Sequence, residues 1–144
     1  MRFWDTSAIV PLLVKESSTD FVRASWRRDP DITVWWATEV ECVSALARLE
    51  RDGTLDVASV GEALARLAAL SLAWTEIEPG TRVREHANRL LRTHALRASD
   101  ALQLAAAIVA AEERPASLRL VSLDERVAGA ASREGFGVEV PTRT

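Results

Sequence analysis

Five short apolar runs, alternating with stretches of helical spacing, constrain this chain more than any other feature. The runs are Met1 to Trp4, Ile32 to Trp36 (ITVWW), a segment around Trp74 and Ile77, Leu118 to Leu123 (LRLVSL), and Gly137 to Val140. They are brief and rich in β-branched and aromatic residues, which suits buried strands. Strands apolar along their whole length belong to a sheet covered on both faces, and the helical stretches between them supply the crossovers of a parallel sheet. The fold class expected is therefore α/β, with three layers (α/β/α) around a central, mainly parallel sheet of about five strands.

The helices follow from spacing and punctuation. Ser7 to Lys15 (SAIVPLLVK) reads as a short helix interrupted or started late by Pro11. Ser17 to Asp20 offers N-cap residues for a second helix ending near Arg28, before the turn Asp29-Pro30-Asp31. Thr38 to Arg51 carries Cys42, Ala45, Leu46 and Leu49 on one stripe and is stopped by Gly53. Asp56 can cap the next helix, in which Val60, Leu64, Leu67 and Leu70 repeat the period, so Thr38 to Leu70 forms a helical hairpin. A helix is expected from Pro79 to about Thr93, another from Asp100, capped by Ser99, to about Glu113, and a last one from Asp124 to Arg133. Residues Pro141 to Thr144 are expected to fray.

Length and composition narrow the classes further. A chain of 144 residues is expected to be one domain, residues 1–144, able to bury its own core. No apolar run reaches the ~18–20 residues of a membrane span, and Met1 is followed by no leader-like pattern. A lone cysteine, Cys42, suits a reducing compartment and core packing, so a cytoplasmic location is expected. The formal charge of -3 argues against adhesion to nucleic acid through a broad basic face. Lys15 is the sole lysine; the other basic residues are arginines, a bias that GC-rich coding explains, although arginine still supplies bidentate phosphate contacts. G-x-S-x-G, P-loop and dinucleotide-binding glycine patterns are all missing. A dehalogenase-type phosphatase would need an acid where Ser7 stands, and a receiver domain would need a lysine after a late strand.

Four acids fall at strand exits or helix starts. Asp5 follows the first strand, Glu41 lies early in the helix after the second, Asp100 opens an otherwise apolar helix (ALQLAAAIVAA), and Asp124 follows the fourth strand. In an open parallel sheet that edge is where ligands bind. Each acid also has a purely structural reading. Asp5 and Asp124 can cap helices, Thr38-x-x-Glu41 and Ser122-x-x-Glu125 match capping boxes, and Asp100 beside Ser99 sits favourably at a helix N-terminus. Were the four to converge, their mutual repulsion would call for a cation, and hard oxygen donors without a Cys/His cluster favour Mg²⁺ or Mn²⁺ over zinc. His94 is expected in a loop or capping role.

These residues resemble a PIN domain, and in particular the VapC toxins of bacterial type II toxin–antitoxin pairs. The matching segments are FWDTSAIVPLL, VECVSALARLERDG, LRASDALQLAAA and LVSLDERVAGAASREGF, in order along the whole chain. The resemblance implies a PIN-like fold in which Asp5, Glu41, Asp100 and Asp124 form an acidic, metal-binding catalytic site for Mg²⁺ (or Mn²⁺). Ser7 would support Asp5, and Ser122 would stand two residues before the last acid. Glu39 competes with Glu41 as second acid; the seven-residue spacing from Glu41 to Arg48 matches the family's pattern. Implied too are an endoribonuclease acting on RNA such as tRNA or rRNA, a cognate VapB-like antitoxin, and a homodimer. The Thr38–Leu70 hairpin would be a groove for an antitoxin helix.

Arg97 and Arg48 are candidates to grip RNA phosphates, with surface solvation as the alternative. Of Trp35 and Trp36, adjacent in a strand, one should face the core and the other could stack on a base. The competing function is a degenerate, non-catalytic PIN domain that binds RNA or protein.

Overall fold

The computed structural model describes residues 1–142; the expected fraying of the C-terminus therefore falls partly, at residues 143 and 144, outside the described residues. Five strands, β1 (Arg2–Trp4), β2 (Ile32–Trp35), β3 (Thr75–Ile77), β4 (Arg119–Val121) and β5 (Gly137–Glu139), form one sheet in the order β3-β2-β1-β4-β5. Every pairing is parallel, so the sheet is wholly rather than mainly parallel. The register sets Phe3 beside Leu120 and Trp4 beside Val121.

Strand alternation then divides the core in two. Phe3, Trp35 and Leu120 face one way, onto α5 (Thr81–Thr93), α6 (Ala98–Ala110) and α7 (Glu125–Glu134). Trp4, Val34 and Val121 face the other way, onto α1 (Thr6–Leu13), α2 (Thr19–Arg28), α3 (Thr38–Arg51) and α4 (Val57–Ala73). This is the expected three-layer arrangement. α6 lies between the sheet and its neighbouring helices, with Ala105, Ala106 and Ala107 fully buried, which is why its sequence is apolar nearly all round.

Several boundaries differ from the sequence reading. α6 starts at Ala98 with Arg97 in the cap position, so Asp100 lies in its first turn rather than opening it. α4 runs on to Ala73 and Trp74 ends it, with Trp74 packed in the core; β3 begins only at Thr75, because the aromatic residue is buried against helices instead of in the ladder. Pro79 precedes α5, which starts at Thr81. α1 accommodates Pro11 internally.

Candidate metal and active site

At the carboxyl edge of the sheet, Asp5 leaves β1, Glu41 projects from the first turn of α3, Asp100 from the first turn of α6, and Asp124 precedes α7. All four line one cleft of about 450 Å³, together with Ser7, Glu16, Arg48, Arg97 and Gln103. Glu39, two residues from Glu41 on the same helix, is exposed and does not line the cleft, as a separation of just over half a turn requires. Arg48, two turns beyond Glu41, does line it.

Asp5 is 3% exposed, yet its carboxylate caps no helix. Ser7 Oγ donates to Oδ1 at 2.5 Å and Ser122 Oγ donates to Oδ2 at 2.7 Å. Ser7 Oγ also accepts from the amide of Leu123 at 2.9 Å, tying α1 to the loop after β4. Burial pushes the Asp5 carboxyl up from 3.8 to about 6; the two serine hydroxyls pull it down, and the nearby Asp124 charge adds to the rise. A buried carboxylate that lines a cleft and has a raised pKa is a common signature of a functional site.

Glu41 is held through one oxygen. Thr6 Oγ1 and Gln103 Nε2 both donate to Oε2 at 2.5 Å. Gln103 Nε2 also lies 2.8 Å from Thr6 Oγ1 and 3.1 Å from Thr38 Oγ1. Thr38 is the first residue of α3, with Ala37 in the cap position, so Thr38 and Glu41 form no capping box. The sequence reading gave Thr6 and Gln103 no role and Thr38 only a capping one. A signal for Gln103 existed: it is the one amide in the apolar run ALQLAAAIVAA. Its carbonyl oxygen is buried without a hydrogen-bond partner among the described residues, an arrangement that costs about 1–3 kcal/mol.

Asp100 Oδ2 accepts from the backbone amide of Arg97 at 3.3 Å and stands 3.5 Å from the Arg97 guanidinium. Asp124 does cap its helix: Oδ1 accepts from the amides of Arg126 and Val127 at 2.8 and 3.1 Å. Ser122 bonds Asp5 and the Asp124 amide, so the Ser122-x-x-Glu125 capping box does not form. Capping and lining the cleft are compatible, since capping uses only one Asp124 oxygen. Cys42 is buried beneath the site; burial, with smaller contributions from Glu41, Glu39 and Asp5, pushes its thiol up to about 12. His94 ends α5 with its ring Nε2 2.8 Å from Glu134 and takes no part in the cleft. Trp35 is 6% exposed and Trp36 49%.

The cleft thus gathers five carboxylates against two guanidiniums. The donors are hard oxygens, which suit Mg²⁺ or Mn²⁺. Among the described residues, however, no group of three His, Cys, Asp or Glu side chains stands so as to hold a metal ion as it is. A cation would therefore draw the acids inward or be reached partly through water. Among the described residues, no helix is long and apolar enough to cross a membrane.

The family model described as PIN domain matches residues 2–132. Two Mycobacterium tuberculosis proteins, Ribonuclease VapC45 (strain CDC 1551 / Oshkosh) and Ribonuclease VapC49 (strain ATCC 25618 / H37Rv), are each 30% identical over 106 residues, covering 74% of both chains. A toxin-antitoxin complex from Klebsiella pneumoniae contains a similar fold, with TM-score 0.67 and 18% identity over 100% of both chains. FitAcB from Neisseria gonorrhoeae is similar at TM-score 0.65 and 19% identity, over 96% of both chains.

Proposed function

Since this chain belongs to the PIN domain family, we propose that it is a Mg²⁺- or Mn²⁺-dependent endoribonuclease of the VapC type, neutralised by a cognate VapB-like antitoxin. The observation that supports this most is the convergence of Asp5, Glu41, Asp100 and Asp124 on one cleft at the carboxyl edge of the sheet. The names of the relatives, ribonucleases at 30% identity, point the same way.

In this reading Asp5, Glu41 and Asp100 hold one cation, and Asp124 contributes through the oxygen its capping bonds leave free. When bound, such an ion acidifies water and offsets the charge that builds up on the phosphate oxygens. The chain's own residues do the rest. Ser7 and Ser122 fix both oxygens of Asp5 and so set its direction before any ligand arrives. Arg97 and Arg48, on the cleft wall, orient the RNA backbone. Trp36, half exposed just beyond β2, offers a face for an unpaired base.

The whole chain acts as one domain, as a cytoplasmic homodimer, on a structured RNA such as tRNA or rRNA. The antitoxin segment would lie in the apolar groove of Leu12, Leu13, Trp26, Leu70 and Ala73 between α1, α2 and α4, where Arg23 and Arg66 favour acidic residues. The expected groove, the α3–α4 hairpin, shares α4 with this one.

The test is incubation of the purified protein with total RNA in Mn²⁺, Mg²⁺ or EDTA, beside Asp5→Asn. Metal-dependent cleavage that leaves 5′-phosphates and is lost in Asp5→Asn is expected. A second reading, a non-catalytic binding module, is favoured by the absence, among the described residues, of a ready three-ligand metal cluster. RNA binding without cleavage in either metal would establish that reading instead.

A further inference from the structure

We propose that Gln103 is a positioning residue: with Thr6 it pins one oxygen of Glu41 so that the other is left for a divalent cation. The inference rests on the metal-site reading above. Gln103 is 4% exposed, one turn after Asp100 on α6, and every residue buried on that helix beyond it is apolar. Its amide nitrogen reaches three oxygens on two helices, that of Thr6 on α1 and those of Thr38 and Glu41 on α3. The Thr6 hydroxyl accepts from Gln103 and donates to Glu41, so the three groups form a closed ring around Glu41 Oε2.

The direction of the amide is informative. Its nitrogen faces Glu41, and its carbonyl oxygen is buried with no partner among the described residues. Turned over, the carbonyl would face a carboxylate and a hydroxyl whose hydrogen already points at that carboxylate. A buried amide placed for stability alone would satisfy both ends. Here one end is left unmet so that the other can hold Glu41. Both donors act on Oε2, and no described residue donates to Oε1. Groups that orient a metal ligand in this way commonly change metal affinity by ~10–100-fold when removed.

The experiment measures Mn²⁺ affinity by calorimetry and thermal stability without metal, for the wild type and Gln103→Leu. Leucine removes the donor to Glu41 and the unpartnered carbonyl together. We expect Mn²⁺ affinity to fall ~10-fold or more, while the metal-free melting temperature stays level or rises. Equal Mn²⁺ affinity in the two proteins overturns the role of Gln103 and leaves the metal site standing. Weakened Mn²⁺ binding with a lower metal-free melting temperature also overturns it, since a structural role explains both. A wild type that binds no Mn²⁺ overturns the proposal and the metal-site reading together. Should Gln103→Leu fail to fold, Thr6→Val carries the test, because it breaks the same ring from the other side: Mn²⁺ affinity lower by ~10-fold or more supports the proposal and equal affinity overturns it.

Discussion

Replacing Asp5 with Asn should stabilise the metal-free protein at neutral pH. The Asp5 carboxyl is buried, and its pKa is raised from 3.8 to about 6. The folded state therefore holds the proton more tightly than the unfolded state. Stability contributed by the protonated group is complete below pH ~4 and is lost as pH rises through about 6. A shift of roughly two pKa units corresponds to about 3 kcal/mol at pH 7.5. Asparagine keeps the shape and removes the charge. One of its two ends becomes a donor, so either Ser7 or Ser122 must turn its hydroxyl round, which costs about 1 kcal/mol. A net gain of about 1–2 kcal/mol remains, or roughly 3–8 °C in melting temperature for a chain this long. Thermal melts in EDTA at pH 7.5 and pH 4 should show this gain at the higher pH and its disappearance at the lower. Added Mn²⁺ should raise the melting temperature of the wild type and leave that of Asp5→Asn unchanged. An Asp5→Asn protein that is less stable at pH 7.5, or equally shifted at both pH values, would refute the reasoning.

Cys42, with its thiol pushed up to about 12 by burial, should resist iodoacetamide at pH 8 until the protein unfolds; rapid alkylation of native protein would contradict this. Glu139 is buried on β5, 2.7 Å from Arg2 and 2.9 Å from Arg28, and accepts from Ser25. Glu139→Ala strands these partners and should cost about 3 kcal/mol in urea unfolding, with Mn²⁺ affinity of the folded protein unchanged. Trp35→Ala should cost about 3–5 kcal/mol, whereas Trp36→Ala should leave stability within about 1 kcal/mol and weaken RNA binding. Arg97→Ala should weaken RNA binding alike for all sequences and lower the salt slope by about one.

The five strands and the core on both faces of the sheet were legible because the chain punctuates itself: apolar runs such as ITVWW are short, and most helices between them keep one stripe; the order of the strands in the sheet was not. The placing of four acids along one edge followed from their positions just after strands or early in helices. What escaped the sequence was the set of contacts around them. Thr6, Thr38 and Gln103 belong to three segments far apart in the chain, and no local spacing announces that they meet at Glu41. Thr38 looked like half of a capping box because a Thr three residues before a Glu has that local meaning. In the fold its hydroxyl turns instead to Gln103. Trp74 looked like part of a strand by propensity, yet burial against α-helices outweighs propensity at that position. Asp124 admitted two readings, capping or cleft lining, and the fold gives it both.

The central claim is that the acids at the carboxyl edge of the sheet gather around a divalent cation. Anomalous diffraction from crystals grown with Mn²⁺ tests it most directly. The account predicts a manganese peak between Asp5, Glu41 and Asp100, with Glu41 Oε1 turned toward it and Oε2 still held by Gln103. A crystal in which that cleft shows no manganese, or in which the ion lies away from Asp5, would contradict it.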